Sequence, residues 1–408
     1  MSGSNQNELP SAGPEVDEAD GIELLPWQQD KRPATGPAVA SVEPRDYQQR
    51  ITSKAIEMFE GRYRNPAGEP QRAAHSVMIE SPTGSGKTII GLTVARWMQQ
   101  TRGYSIGWVS MRRNLLAQAA EENERRGFQV DMQLISMFDK RAPKVDMLVV
   151  DEAQHDGAMS MANLHCRIRP QKVLGMTATP FRTDRIKLCF DQIITDVGIH
   201  QLIQDGYLSH YHHYTIPEYT PESVARFFVA EPQRWGKSLV FFHRHEQCVR
   251  CQQVLDDYGV SSEVVTGTTN RERQLGDFEA GRISLLINMN VLSEGFDCPS
   301  LNTVFCRPSG RGPTIQMGGR VFRKHPGLPF KQIVQCQQTR HPFVKTALAE
   351  EQYVWMDDSW RTLKLNARIG EISNITRNLI GQCQATLPKL VARHRPRSLH
   401  GQWLSNGD

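Results

Sequence analysis

Two successive α/β units, each a parallel sheet flanked by helices, are predicted by three observations. Short apolar runs alternate with amphipathic helical stretches from Pro44 to about Gly206. The same alternation restarts after Tyr207. A glycine-rich loop joins a strand to a helix in the first unit and has no counterpart in the second.

Taken in order, residues 1–43 are rich in Pro, Gly, Ser, Ala and acids and carry almost no apolar period. That composition reads as a disordered acidic tail. Its short apolar island, Leu24-Leu25-Pro26-Trp27, could dock on a partner protein, and a bare tail is the plainer reading. In the first unit, residues 44–206, strands are expected at 77–80, 105–110, 133–136, 147–150 and 172–176, with a helix over 115–125 among those between them. In the second, residues 207–342, strands are expected at 210–216, 238–242, 262–265, 285–288 and 303–307, and helices over 246–258 and 271–280. Residues 343–408 form an extension without readable alternation, although Trp355, Trp360 and Trp403 point to a packed or stacking surface.

The chain has 408 residues, 39% apolar and 23% charged, enough for two ordinary domains with real cores. It has no apolar run long enough for a membrane helix. The start Met1-Ser2-Gly3-Ser4-Asn5 lacks the basic and apolar regions of a secretory signal. Its eight cysteines follow no framework spacing, which fits a reducing, intracellular setting: cytoplasmic, nucleoid-associated, or the host cytoplasm for a viral protein. Net charge is +4, but residues 1–44 carry −6, leaving +10 on the rest. After Glu371 come Arg377, Lys389, Arg393, Arg395 and Arg397, with no acid before Asp408. A basic body with a basic tail suits a polyanionic partner, with solvated surface charge as the bland alternative.

The loop Ser81-Pro82-Thr83-Gly84-Ser85-Gly86-Lys87-Thr88 carries the chemistry. Its glycines allow consecutive N–H groups, including those of Thr83, Gly84, Ser85 and Gly86, to point inward at a polyphosphate. The following helix N-terminus adds partial positive charge. Lys87 can reach the terminal phosphates and the Thr88 hydroxyl can ligate Mg²⁺. Ser81 replaces the usual first glycine. A Gly/Ser surface turn that happens to contain Lys-Thr is the competing reading. The second motif argues against it: the apolar strand Met147-Leu148-Val149-Val150 ends in Asp151-Glu152-Ala153-Gln154. Acids at a strand's carboxyl end lie where α/β sheets bind ligands. Asp151 would hold Mg²⁺ and Glu152 would polarise the attacking water. The pair of motifs is the signature of an ATP-hydrolysing site. Upstream, Gln48 in Arg45-Asp46-Tyr47-Gln48 can both donate to and accept from an adenine edge.

Further segments follow in fixed order: Thr177-Ala178-Thr179-Pro180, Ser238-Leu239-Val240-Phe241-Phe242, Glu294-Gly295-Phe296-Asp297-Cys298-Pro299 and Gln316-Met317-Gly318-Gly319-Arg320-Val321-Phe322-Arg323. With this set, residues 44–325 resemble the superfamily 2 helicases and translocases of the DEAD/DEAH-like group. Within it, they resemble the branch of type III restriction helicase subunits and repair or phage DNA helicases. The marks of that branch are Thr177-Ala178-Thr179-Pro180-Phe181-Arg182-Thr183-Asp184, Leu202-Ile203-Gln204-Asp205-Gly206-Tyr207-Leu208 and Val291-Leu292-Ser293-Glu294-Gly295-Phe296-Asp297. Gln154 departs from the Asp or His of related families and argues against strict DEAD-box RNA helicases.

The resemblance implies two RecA-like domains with ATP in the interdomain cleft. It implies Arg320 and Arg323 as catalytic arginines, Gln316 close to them, and Gly295 and Asp297 approaching the nucleotide from the second domain. It implies that Gln154 couples the domains. Nucleic acid would cross both domains away from ATP, touching Arg112, Arg113, Ser136, His243, Arg244, Thr266, Gly267 and Thr268 through sequence-independent phosphate contacts. An exposed helix start accounts for Arg112 and Arg113 equally well. The activity implied is an ATP-dependent helicase or translocase on DNA. An RNA-remodelling ATPase and an ATP-gated nucleic-acid-binding subunit of a larger complex are the alternatives.

Two segments imitate metal sites. His243-Arg244-His245-Glu246-Gln247-Cys248-Val249-Arg250-Cys251 pairs Cys-x-x-Cys with histidines, but neighbours on one helix do not enclose a tetrahedral ion. His210-Tyr211-His212-His213 fits a strand with alternating faces.

Overall fold

The computed structural model describes residues 44–155, 159–180, 190–292 and 296–362. The acidic tail with its apolar island, the Phe181-Arg182-Thr183-Asp184 segment, Ser293-Glu294-Gly295 and the basic stretch through Trp403 lie outside the described residues.

The helices of the first unit are α1 (Asp46–Glu60), α2 (Lys87–Arg102), α3 (Arg113–Arg125), α4 (Met159–Ile168) and α5 (Ile199–Gln204). Its strands are β1 (Ser76–Glu80), β2 (Ile106–Ser110), β3 (Met132–Ser136), β4 (Met147–Asp151), β5 (Lys172–Thr177) and β6 (Gln192–Thr195). They form one sheet in the order β3-β2-β4-β5-β1-β6, parallel throughout. The strands β2 and β4 are buried along nearly their whole length. Both faces are covered by helices, so these strands appear in sequence as unbroken apolar runs. Helix α1 shows the complementary pattern: Tyr47, Ile51, Ala55 and Phe59 recur every fourth residue and are all buried.

The second unit contains β7 (His210–Ile216), β8 (Ser238–Phe241), β9 (Ser262–Val265), β10 (Leu285–Asn288), β11 (Thr303–Phe305), β12 (Phe330–Cys336), β13 (Gln352–Met356) and β14 (Ser359–Thr362). With them come α6 (Pro221–Ala230), α7 (Pro232–Trp235), α8 (His245–Asp257), α9 (Arg271–Glu279) and α10 (Arg311–Gly318). The sheet order is β14-β13-β7-β12-β11-β8-β10-β9. Every pairing is parallel except that of β13 with β14. The molecule is thus α/β, with one parallel and one mixed sheet, each flanked by helices. Cys248 and Cys251 lie in the apolar core under α8.

Four strands escape the sequence pattern, each for a visible reason. Strand β6 lies at the sheet edge with only Ile194 buried, so it shows no buried apolar run. Strand β12 is buried, yet it contains Lys331, Gln332 and Gln335. Lys331 is 0% exposed, and its Nζ donates to the carbonyls of Pro299 and Leu301, each at 2.6 Å. Burial lowers its pKa to about 8. Gln332 donates to Arg234 O. Polar residues tied to backbone carbonyls make a core strand resemble a surface loop. Hairpin β13–β14 turns on Asp357-Asp358 with φ of +50° and +52°. The turn works without the Asn-Gly or Asp-Gly pair that usually announces it. Trp360 anchors the hairpin: its ring lies 4.9 Å from Tyr214 and 5.0 Å from Trp355, and its Nε1 donates to Glu231 at 2.8 Å.

The His210-Tyr211-His212-His213 run lies in β7, as expected. His213 is 1% exposed; its Nε2 lies 2.9 Å from Gln335 Oε1, and its Nδ1 has no partner among the described residues. Burial pushes its pKa down to about 4, from an ordinary value of about 6.5. The folded state therefore keeps His213 neutral while the unfolded chain protonates. The stability involved is fully present above about pH 6.5 and is lost as pH falls toward 4. The loss should reach about 3 kcal/mol. Urea unfolding at pH 7 and pH 4.5 checks this, and in His213→Gln the acid-dependent loss should shrink; an equal loss in both proteins would refute the assignment.

Candidate nucleotide and nucleic-acid site

The loop between β1 and α2 is fixed from three sides. From β5, the Thr177 carbonyl accepts from Ser81 N at 2.9 Å. Within the loop, the Ser81 hydroxyl donates to Ser85 Oγ at 2.7 Å. Ser81 thus supplies an internal tie that the usual glycine could not. From α1, the Ser85 carbonyl accepts from Gln48 Nε2 at 2.9 Å and from the Tyr47 hydroxyl. Gly84 and Gly86 take φ of +81° and +77°, a backbone region that costs an L-residue roughly 1–2 kcal/mol. Lys87 opens α2 and lies back over the loop, its Nζ 3.4 Å from Ser81 O.

Gln48 is 2% exposed. Besides its bond to Ser85, its Oε1 accepts from Arg45 N at 3.0 Å. In the structure it is a strut between α1 and the loop, and each end of its amide keeps one further hydrogen-bonding capacity. Beside it the Arg45 guanidinium lies 4.8 Å from the Tyr207 ring centre, and the Tyr207 and Tyr47 rings are 5.3 Å apart. Tyr207 was not singled out from sequence, because only the tertiary fold brings it beside α1.

The acidic motif ends β4. Glu152 has φ of +56°, a strained backbone for this residue type and one that clusters at functional sites. Its N–H donates to Asp151 Oδ1 at 3.0 Å. Gln154 donates to Glu152 Oε2 at 3.0 Å and accepts from the Thr177 hydroxyl at 2.6 Å. Thr179 N donates to Thr177 Oγ1 at 2.9 Å. Thr179 in turn faces the second unit: a Cβ on Gly312 would lie 3.8 Å from it. Gln154 therefore links Glu152 to β5 within the first sheet, and the chain of contacts continues from Thr179 toward Gly312.

The second unit's motif follows α10. A Cβ on Gly319 would come within 2.9 Å of Thr83, so the phosphate-loop threonine and the residue before Arg320 pack directly together. Arg320 donates to Phe296 O at 3.0 Å, and Arg323 pairs with Asp297 at 2.5 Å. Gln316 is on α10, and Thr88 is in the first turn of α2. Arg271, unmarked in the sequence reading, starts α9. Burial lowers its pKa, and Arg112 and Arg320 nearby lower it further.

The remaining candidates stand just past the carboxyl ends of strands. Arg112 follows β2 and reaches the second unit, donating to Val291 O at 2.6 Å. Arg113, in the first turn of α3, is exposed. Ser136 ends β3, its Oγ accepting from Phe138 N at 3.3 Å. Thr266, Gly267 and Thr268 follow β9, with the two threonine hydroxyls 3.1 Å apart. Arg244 precedes α8, and its N–H donates to Gln247. His243 follows β8, but its ring is engaged: Nε2 lies 2.9 Å from Pro308 O, and Nδ1 lies 3.0 Å from Arg307.

Comparison with known proteins agrees with this arrangement. Residues 41–135 match the family described as type III restriction enzyme, res subunit. Residues 220–325 match the helicase conserved C-terminal domain. The two matches fall on the two units in the order the motifs require. Through these two matches the chain is similar to the superfamily 2 helicases. The chain is 25% identical over 267 residues to the 51.5 kDa protein of a Lactococcus phage (isolate 7-9), covering 57% of this chain and 59% of that protein. Its fold is similar to that of the ATP-dependent type ISP restriction-modification enzyme LlaBIII bound to DNA (TM-score 0.51, 14% identity, 76% of this chain and 28% of that one). It is also similar to Saccharomyces cerevisiae Dbp5 bound to RNA and ADP BeF3 (TM-score 0.50, 18% identity, 72% and 83%). The chain spans less than two thirds of the length of the phage relative and of the LlaBIII chain.

Gly86→Ala should disable the loop. The new Cβ would sit 2.5 Å from Gln48 Nε2, and Gln48 is held at both ends. Thermal unfolding should show a loss of about 1–2 kcal/mol from the left-handed backbone alone, and a fluorescent ATP analogue should bind more weakly. Wild-type affinity in this variant would mean the Gln48–Ser85 strut does not shape the loop.

Proposed function

We propose that the chain is an ATP-dependent helicase or translocase acting on DNA in replication, recombination or repair, with residues 44–206 and 207–342 as its two RecA-like domains. The carrying observation is the packing of Gly319 against Thr83. It brings the residue before Arg320 against the phosphate loop. Hydrolysis of a phosphoanhydride needs positioning and charge stabilisation more than covalent chemistry. The residues fit that task. The left-handed Gly84 and Gly86 free the loop's N–H groups, and the Lys87 ammonium rests over the loop on a single weak bond. Thr88 and Asp151 would hold Mg²⁺, which neutralises phosphate charge when bound. Glu152 would orient and polarise water, held by Gln154. Arg320 and Arg323 would face the terminal phosphate from the second domain, with Gln316 and Asp297 beside them. Gln48 would read the adenine edge with the hydrogen-bonding capacity it retains.

Coupling to a bound strand follows from the contacts. Thr177 and Thr179 connect the Glu152–Gln154 pair to Gly312 in the second domain. Arg112 joins the domains through Val291. A change at the phosphates would therefore have contacts through which to reach the second domain.

The test is ATP hydrolysis by the purified chain with no nucleic acid, single-stranded DNA, forked DNA or RNA. DNA should stimulate turnover most; stimulation by RNA alone would move the assignment to RNA remodelling. Glu152→Gln should retain ATP binding and lose turnover, because an amide cannot polarise water. Arg320→Ala should lower turnover on the order of 10³-fold. Near wild-type hydrolysis in Glu152→Gln would overturn its role.

A further inference from the structure

Arg307 follows β11 and is 7% exposed. Its NH1 donates to Ser309 Oγ and to His243 Nδ1, the latter at 3.0 Å, and its NH2 donates to Asn290 Oδ1 at 2.9 Å. Its Nε has no partner among the described residues. His243 Nε2 faces a carbonyl, that of Pro308, and must donate to it; Nδ1 is then the neutral acceptor that receives the Arg307 proton. None of these partners carries negative charge. A guanidinium cannot discharge by losing a proton, and a buried cation without an anion is costly. Burial pushes the Arg307 pKa down. Nothing in this cluster explains an arginine on stability grounds, since a neutral donor could satisfy Asn290 and Ser309.

Its location supplies the explanation. Asn290, His243 and Arg307 follow β10, β8 and β11, which are adjacent in the sheet. Carboxyl ends of adjacent parallel strands are where such sheets bind ligands. The next strand outward, β9, leads to Thr266 and Thr268. Toward the other unit, Gly312 packs by Thr179. We propose that Arg307, held by Asn290 and Ser309, binds a phosphate of the nucleic-acid backbone, with the exposed ring of His243 as the movable rim of that site. A phosphate oxygen would take the NH1 position that His243 Nδ1 holds. His243 then acts by guarding and releasing Arg307, while the guanidinium makes the contact. This inference rests on the nucleic-acid reading given above.

The experiment measures affinity for a fluorescent single-stranded DNA across salt concentrations, without nucleotide, for the full chain and for Arg307→Gln and Arg307→Lys. Arg307→Gln should weaken binding roughly ten-fold or more and reduce the slope of log affinity against log salt by about 0.7. Arg307→Lys keeps the charge but not the fork, and should fall between wild type and Arg307→Gln; it carries the test if the glutamine variant does not fold. Equal slopes and affinities in wild type and variants would overturn the proposal. ATP affinity is measured in parallel, and a loss confined to ATP would assign the phosphate to the nucleotide and overturn it as well. Failure of the wild-type chain to bind any nucleic acid would instead strike the functional reading itself.

Discussion

Parallel strand direction is the constraint on which the rest of the molecule depends. In a parallel sheet every strand's carboxyl end faces the same edge, and each return must pass through a crossover. The first sheet is parallel throughout, so the loops after β1, β2, β3, β4 and β5 all open on one side. Residues scattered from Ser81 to Thr179 become neighbours without any loop having to travel. The core of the second sheet obeys the same rule, which gathers His243, Thr266, Asn290 and Arg307 along one edge.

Between the two edges the contacts are small and specific. Gly319 meets Thr83 because neither residue carries bulk there, and a Cβ would already intrude. Arg112 reaches a backbone carbonyl across the junction. Few-atom contacts of this kind can be made and broken at low cost. The Glu152–Gln154–Thr177 chain of partly buried side-chain hydrogen bonds supplies the link inside the first unit.

Buried polar residues recur at positions that shape the site. Gln48 joins α1 to the phosphate loop, Lys331 ties the loop around Pro299 to β12, and His213 bonds Gln335 within the second sheet. Each bonds a partner distant in sequence. Such groups fix one arrangement of the backbone, because a misplaced alternative would leave them unpaired at a cost of about 1–3 kcal/mol.

What the chain declares by itself is whatever depends on neighbours a few residues apart. Apolar period, the glycines and Lys-Thr after a strand, and the Asp-Glu pair at a strand end are local. Strands β7, β9 and β10 therefore fall where the pattern placed them, and helices α8 and α9 to within about a residue at each end. The tertiary structure decided what depends on distant partners. It revealed β12 as a core strand, because Lys331 and Gln332 meet carbonyls more than thirty residues upstream or nearly a hundred away. It closed the hairpin over Asp357-Asp358 through aromatic packing on Tyr214. It set the His243 ring against Arg307, which in sequence is one arginine among many. Local spacing specifies elements and loop chemistry, but the meeting of Arg307 with His243 and Asn290 exists only once β8, β10 and β11 lie side by side, since pairing across a sheet is a property of the fold and not of any short segment.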